Sequence, residues 1–148
     1  MSYSCFNYHI VFSTKERRPW LSSEILPRVC EYMGGIARKL NSQLLLANGA
    51  EDHVHLAAIV HPTLAVAQFV AKVKANCTGW IHQTFPELRA FSWQEGYAGF
   101  SVSSSVLAQV KAYIRGQQEH HRKRSFHEEL ILLLDKHGIE YDERYLWK

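Results

Sequence analysis

The stretch Glu51-Asp52-His53-Val54-His55-Leu56-Ala57-Ala58-Ile59-Val60 places two histidines, one residue apart, at the start of an apolar run. Side chains of a β-strand point alternately to the two faces of a sheet, so a strand here puts His53 and His55 on the same face. Two neighbouring imidazoles on one strand face are suitably spaced to bind one metal ion. From this stretch alone, simple hydrogen bonding near a strand end is the alternative. The residues expected to point into a core are Val54, Leu56, Ala58 and Val60.

The composition of the whole chain is that of one globular domain. With 148 residues, of which 47% are hydrophobic, it can bury its own core. A net charge of +3 is compatible with nucleic acid binding without being specific for it. The three cysteines form no Cys-x-x-Cys pair, which argues against a disulfide scaffold or a thiolate zinc site. We expect no signal peptide and no membrane span, and therefore a cytoplasmic protein.

Hydrophobic periodicity predicts the elements that precede the histidine strand. Residues 3–13 alternate between apolar and more polar positions, as in a half-buried strand. A helix capped by Ser22 or Ser23 follows, with apolar residues at helical spacing. Residues 44–47 predict a second strand, and Asn48-Gly49 predicts a hairpin turn that leads into the histidine strand.

The elements after the histidine strand complete a recognisable order. A helix from about residue 63, an aromatic strand over 91–103 and a helix over 106–121 are followed by a capping box at Ser125 and Glu128. This order predicts an α+β, ferredoxin-like (RRM-like) split βαβ antiparallel sheet with C-terminal helices. The first and third strands are then central neighbours, and two helices cover one face. We therefore expect the paired histidines on the opposite face, beneath the C-terminal helices.

A polar stripe on the first of these C-terminal helices suggests a nucleophile. Gln109, Tyr113 and Gln117 are spaced i, i+4, i+8 and share one helix face. A tyrosine hydroxyl, with a pKa near 10, is a poor nucleophile unaided, but a metal that polarises the electrophile compensates for this. A phosphodiester is the electrophile that best suits a basic protein. On spacing alone, the alternative is that Tyr113 simply flanks the core.

These motifs together resemble a known family. His53-Val54-His55 resembles the histidine-hydrophobic-histidine (HUH) motif of single-strand DNA nucleases, and residues 113–117 (YIRGQ) resemble their tyrosine helix. With residues 8–15 (YHIVFSTK) and 93–97 (WQEGY), the chain is similar to single-tyrosine HUH transposases of the insertion sequence 200/605 group, TnpA-like and REP-associated ones included. The likeness covers nearly the whole chain. We treat residues 1–148 as one transposase domain, with a core at 1–104, a tyrosine helix at 105–124 and a C-terminal helix and tail at 125–148.

The resemblance implies a DNA transposase that cleaves and rejoins single-stranded DNA through a 5′-phosphotyrosine intermediate. It implies a homodimer that binds hairpins at the ends of an insertion sequence or REP-type element, in a bacterial or archaeal cytoplasm. Carried over by residue, His53 and His55 bind Mg²⁺ or Mn²⁺, Gln117 completes the protein ligands, and Tyr113 is the nucleophile. Since metal binding needs neutral imidazole, we expect activity to fall as the pH drops through about 6.5.

Three other functions compete with this one. A non-enzymatic single-stranded RNA- or DNA-binding protein with a ferredoxin-like fold would explain the surface aromatics, but not histidines facing a tyrosine helix. A zinc hydrolase would need a nearby carboxylate, and we expect Asp52 to face the other side of the strand. A histidine-triad hydrolase would need a third alternate histidine where Ala57 stands.

Basic residues near these motifs are candidate DNA contacts. Positive side chains bind phosphates, although such runs are often only solvated loops. His9, on the first strand, either supports the metal site from behind its ligands or makes a structural hydrogen bond. The candidate DNA-binding residues are Lys15, Arg17, Arg18 and Arg115.

Overall fold

A four-stranded antiparallel sheet forms the centre of the protein. The computed structural model describes residues 1–146. Its strands lie in the order β2-β3-β1-β4, with β1 and β3 as central neighbours. This order confirms the predicted ferredoxin-like α+β fold. The strands are β1 (Asn7–Ser13), β2 (Gln43–Ala50), β3 (His53–Ile59) and β4 (Ala98–Val102).

Two helices cover one face of this sheet, α1 (Ile25–Lys39) and α2 (Val66–Thr84). The β3 residues that were expected to point into a core lie against them and are buried, as the alternation predicts. The N-cap residue of α1 is Glu24 instead of the predicted Ser22 or Ser23, and its side chain makes no capping hydrogen bond. Ser22 lies in the turn before the helix, where its hydroxyl and its carbonyl both accept the Ile25 N–H. Burying each large apolar side chain contributes about 1.5–3 kcal/mol, so this layer supplies most of the stability. Its largest fully buried members include Phe12, Phe69, Phe91, Ile10, Met33, Leu56 and Ile81.

The three C-terminal helices cover the other face, as expected. They are α3 (Leu107–Arg115), α4 (Gln117–Lys123) and α5 (Phe126–Lys136). The capping box of Ser125 and Glu128 starts α5 as predicted. The end of the predicted tail, residues 147–148, lies outside the described residues. A second apolar cluster joins α5 to the sheet through Val11, Ala98, Phe100, Phe126, Leu130, Leu133 and Leu134.

The turn that leads into β3 lies three residues later than predicted. Asn48 pairs with His55 and Gly49 with Val54, so both belong to β2, and residues 51–52 form the turn. The glycine is needed for close approach of the strands: a Cβ on Gly49 would lie 2.1 Å from the His53 carbonyl oxygen. An Asn-Gly pair is typical of tight turns, but here the glycine serves backbone packing instead.

Alanine should change the free energy of unfolding in opposite directions at two glycines, one in the crowded strand and one on an open helix surface. Gly49→Ala should lower the free energy of unfolding by about 3 kcal/mol, because backbone atoms of β3 have to move. Gly79→Ala should raise it by about 0.5–1 kcal/mol, because Gly79 is exposed in the middle of α2 with nothing within 4 Å of an added Cβ. Urea denaturation of both variants measures the difference. Equal effects at the two positions would contradict the strand register.

Other element boundaries also differ from the predictions. The strand predicted over 91–103 begins only at Ala98, because Gly96 turns the chain with a φ of 85°, and Trp93 makes one isolated bridge with Thr14. The first strand begins at Asn7 instead of residue 3, and the second helix at Val66 instead of residue 63.

The helix predicted over 106–121 is divided at Gly116 into α3 and α4. A Cβ on Gly116 would lie 3.3 Å from His120 Nε2, so the glycine leaves room for that ring to approach. The His120 ring in turn stacks on Tyr113, with centroids 4.6 Å apart. The break therefore shapes the surroundings of the predicted nucleophile. Within residues 1–146, no helix is long and apolar enough to span a bilayer.

Candidate active site

The structure brings the predicted histidines, tyrosine and glutamine together in one chain. β3 supplies His53 and His55, α3 supplies Tyr113, and the start of α4 supplies Gln117. A fifth residue, Glu129 of α5, lies between them and contacts all four. The histidines and the glutamine have no solvent-exposed surface, and Glu129 is 5% exposed. The site is thus a buried polar cluster between the sheet and the C-terminal helices.

His53 is held from both of its ring nitrogens. Its Nδ1 donates to Asp52 Oδ1 at 2.8 Å, and its Nε2 lies 2.9 Å from Gln117 Oε1 and 3.2 Å from Glu129 Oε1. Burial lowers the pKa of His53, but hydrogen bonds to Asp52 and Glu129 outweigh this and raise it to about 9. The expectation that Asp52 faces away is wrong. Asp52 belongs to the turn and not to the strand, so strand alternation does not set its direction.

His55 is held by another histidine. Its Nδ1 lies 2.7 Å from His9 Nε2, and its Nε2 lies 3.1 Å from Glu129 Oε1. Burial lowers the pKa of His55 to about 4 and that of His9 to about 3, so both rings are neutral at pH 7. Neither His53 nor His55 keeps the ordinary pKa near 6.5 on which the expected pH dependence rests. His9 takes the position predicted for it, behind a ligand candidate.

Tyr113 approaches the histidines of its own chain. Its hydroxyl donates to Glu129 Oε2, and its ring edge faces His9 and His55 with centroids 6.1 and 5.9 Å away. Burial, with the hydrogen bond to Glu129, raises the pKa of Tyr113 well above its ordinary value near 10. The phenol is therefore protonated at neutral pH. It becomes a good nucleophile only where a positive charge offsets the negative charge of Glu129.

Gln117 orients its amide between the histidine and the glutamate. Its Nε2 donates to Glu129 Oε2 at 3.1 Å, which turns its Oε1 toward His53. Two imidazole nitrogens and an amide oxygen thus converge on one buried point. Imidazole, amide and carboxylate groups are ordinary ligands of Mn²⁺, and oxygen ligands suit Mg²⁺. The residues present therefore fit a divalent cation.

Glu129 is the functional candidate that the sequence interpretation missed. A signal for it exists in the helix pattern, because Phe126, Leu130 and Leu133 are buried and Glu129 lies on the same side of α5. A carboxylate on an apolar helix face is rarely buried unless it has partners. The pattern could have indicated a buried partner, but not which residue it is.

The predicted DNA contacts lie on the surface at the rim of the cluster. Lys15, Arg17 and Arg18 follow β1 in a loop whose Thr14 N–H donates to the Asp52 carbonyl at 2.9 Å, beside the turn before His53. Arg18 pairs with Glu16 at 3.7 Å. Arg115 is exposed at the end of α3.

A cavity of about 600 Å³ opens beside Tyr113, between α3, α5 and β4. It extends to two cationic side chains, Arg124 and Lys136, and to His137, whose ring stacks on Phe100 with centroids 4.1 Å apart. The volume is large enough for a nucleotide-sized group. The tyrosine is therefore accessible from a side that carries positive charge.

The chain is similar to transposases over most of its length. Residues 2–117 match the family described as IS200-like transposases. The ISDra2 transposase TnpA of Deinococcus radiodurans is 25% identical over 117 residues, which cover 76% of this chain and 84% of the relative. The transposase for insertion sequence element IS200 of Salmonella typhimurium is 31% identical over 122 residues, which cover 76% of each.

Two solved structures share the fold. A crystal structure of a candidate transposase from Deinococcus radiodurans aligns with a TM-score of 0.65 at 25% identity, over 79% of this chain and 95% of that one. A REP-associated tyrosine transposase bound to a REP hairpin aligns with a TM-score of 0.60 at 12% identity, over 82% of this chain and 74% of that one. The second likeness concerns the fold alone.

Proposed function

Because the chain belongs to the IS200-like transposase family, we propose that it cleaves and rejoins single-stranded DNA through a covalent bond to Tyr113. The observation that supports this most is the position of the Tyr113 hydroxyl. It contacts the Glu129 carboxylate, which also contacts His53 and His55 of the same chain. The DNA moved in this way is an insertion sequence or a REP-type element.

In the proposed reaction the Tyr113 oxygen attacks the scissile phosphorus. The bond from phosphorus to the 3′-oxygen breaks, that oxygen takes up a proton, and the products are a 5′-phosphotyrosine and a free 3′-hydroxyl. Attack by a 3′-hydroxyl reverses the exchange, so strands are rejoined without ATP. His53, His55 and Gln117 would hold Mg²⁺ or Mn²⁺, which supplies polarisation of the phosphate oxygens.

The partners in this proposal are single-stranded DNA with hairpins at the element ends and a second copy of the chain. A REP-associated tyrosine transposase of the same fold binds a REP hairpin, and we extend that kind of ligand to this chain as part of the proposal. Lys15, Arg17, Arg18 and Arg115 contact phosphates at the rim of the site. Since Tyr113 reaches the histidines of its own chain, the homodimer is not needed to complete a site. The reaction belongs in the cytoplasm of a bacterial or archaeal cell, where the element lies.

A labelled strand tests the proposal. Single-stranded DNA carrying the element's end hairpins is incubated with the protein and Mn²⁺, or with EDTA. A 3′-end label should enter an SDS-resistant adduct, whereas a 5′-end label should appear on a shorter strand that ends in a 3′-hydroxyl. EDTA should abolish both products. A protein that only binds nucleic acid would shift the mobility of both strands without cleaving either, and that result would refute the enzymatic proposal.

The carboxylate behind His53 gives a separate prediction. Asp52→Asn should weaken Mn²⁺ binding about 10- to 100-fold, because a charged partner on Nδ1 orients the ring and makes Nε2 more basic. Glu119→Gln is the matched control: Glu119 is exposed on α4, pairs at 3.0 Å with Arg122 and should leave the affinity unchanged. Isothermal titration of both variants measures this. Wild-type affinity in Asp52→Asn would rule out the role of that carboxylate.

A further inference from the structure

We propose that Glu129 is itself a protein ligand of the cation, and that its second oxygen holds the Tyr113 hydroxyl, so that one carboxylate joins metal and nucleophile. The inference rests on the proposed function for the existence of the cation site. Glu129 lies beyond residues 2–117, the part of the chain that matches the family. It is supplied by the C-terminal helix α5.

The distances around Glu129 are those of a ligand set. Its Oε1 lies 3.1 Å from His55 Nε2 and 3.2 Å from His53 Nε2. Gln117 Oε1 lies 2.9 Å from the same nitrogen of His53. Neighbouring ligands of an octahedral ion with bonds of about 2.1 Å lie about 3.0 Å apart. An ion can therefore sit among these atoms with little movement of the side chains.

The donors and acceptors at His53 also call for a positive species at this point. A carboxylate only accepts, so the bond to Asp52 places a proton on His53 Nδ1. The other nitrogen, Nε2, then faces two oxygens, one from Gln117 and one from Glu129. Without a metal, a second ring proton on Nε2 can donate to these oxygens. A divalent cation that displaces this proton would face the same three atoms, one nitrogen and two oxygens, and could bind all of them.

The second histidine can serve the same cation without moving its ring. A metal on His55 Nε2 requires the ring proton on Nδ1, which lies 2.7 Å from His9 Nε2. His9 is neutral and can accept that proton's hydrogen bond. With the metal bound, His55 Nδ1 donates to His9 Nε2; without it, His9 Nε2 can donate to His55 Nδ1 while His55 Nε2 donates to Glu129. The same contact between the rings therefore serves both states.

The charge balance favours a carboxylate ligand. The histidines and Gln117 are neutral as ligands, so alone they would leave two positive charges in a buried cluster. Burying charge without compensation is costly. Glu129 removes one of these charges, and Asp52, hydrogen-bonded to His53 Nδ1, offsets the other from behind the ring. A carboxylate ligand therefore completes the neutralisation of the cation inside the cluster.

The other oxygen of Glu129 positions the nucleophile. Oε2 accepts from the Tyr113 hydroxyl and, at 3.1 Å, from Gln117 Nε2. If Oε1 binds the cation, the phenol oxygen is held at a fixed place next to it. A phosphate bound to the same cation would then lie beside that oxygen. Glu129 is in this respect a positioning residue, and the chemistry stays with the tyrosine.

Mn²⁺ binding in the absence of DNA tests the inference. Glu129→Gln keeps the size of the side chain and removes its charge, and we expect its Mn²⁺ affinity to fall at least about 100-fold by isothermal titration. Glu128→Gln is the matched control. Glu128 is the neighbouring capping-box residue, which glutamine can replace, and its affinity should stay within twofold of wild type. Thermal melting of each variant shows that it is folded.

A second measurement needs no variant. Water-proton relaxation counts the waters on bound Mn²⁺. Of six positions around the ion, His53, His55, Gln117 and Glu129 occupy four, so about two waters are expected in the wild type. A count of three, or wild-type affinity in Glu129→Gln, would overturn the inference. If either occurs while wild-type protein still forms the DNA adduct, only the role of Glu129 is wrong. If Glu129→Gln loses Mn²⁺ but wild-type protein forms no adduct, the proposed function is wrong instead.

Discussion

Replacing Tyr113 with phenylalanine is expected to remove the covalent protein–DNA adduct and to lower cleavage of single-stranded DNA by at least about a thousandfold. Phenylalanine keeps the ring that stacks on His120 but lacks the oxygen that forms the bond to phosphorus. The fold should persist, because Glu129 keeps its contacts with His53, His55 and Gln117. The readout is the SDS-resistant adduct with 3′-labelled DNA, measured over a time course.

A tyrosine on the far side of the sheet supplies the control for this variant. Tyr32 lies on α1 and stacks on Trp80 of α2 with centroids 4.5 Å apart. Tyr32→Phe should form the adduct at the wild-type rate. Persistence of the adduct in Tyr113→Phe, or its loss in Tyr32→Phe, would move the nucleophile elsewhere.

His55→Leu should abolish both Mn²⁺ binding and DNA cleavage. Leucine has a similar volume but no lone pair, so one of the two imidazole ligands disappears from the cluster. The substitution also leaves His9 Nε2 without its partner, and the free energy of unfolding should fall by about 1–3 kcal/mol. Isothermal titration with Mn²⁺ and the adduct assay measure the two losses independently.

The control for His55→Leu is a histidine remote from the site. His82 Nε2 donates to the Phe91 carbonyl at 2.8 Å, at the end of α2. His82→Leu should bind Mn²⁺ with wild-type affinity. A His55→Leu protein that is folded and still needs Mn²⁺ for cleavage would show that the cation binds somewhere else.

The two variants also separate the steps of the reaction. Tyr113→Phe should keep its Mn²⁺ affinity within about threefold, since Tyr113 is held by Glu129 and is not a ligand. His55→Leu should lose it. Both should still bind hairpin DNA through the surface cations, because phosphate contacts supply most of that affinity. This pattern is expected of an enzyme with a separate nucleophile and metal site, and a non-enzymatic binding protein would show no such separation.

The sequence by itself determined the topology and one buried face of the sheet. Alternation in β3 predicts that Val54, Leu56 and Ala58 are buried, and they are, because a strand's two-residue period is a local property. The capping box at Ser125 is equally local, since a side chain three positions away completes it. The order of such elements then restricts the chain to few topologies, of which the ferredoxin-like one is observed.

Only the tertiary structure decided the details that depend on distant partners. Asn48-Gly49 has the sequence of a turn, but strand pairing against Val54 places it inside β2. Gly116 divides a helix that periodicity predicts as continuous. The largest omission is Glu129, which meets His55 across 74 positions of sequence. Periodicity shows which face of a helix is buried, whereas the residue that a buried carboxylate meets is fixed by packing between elements far apart in the chain.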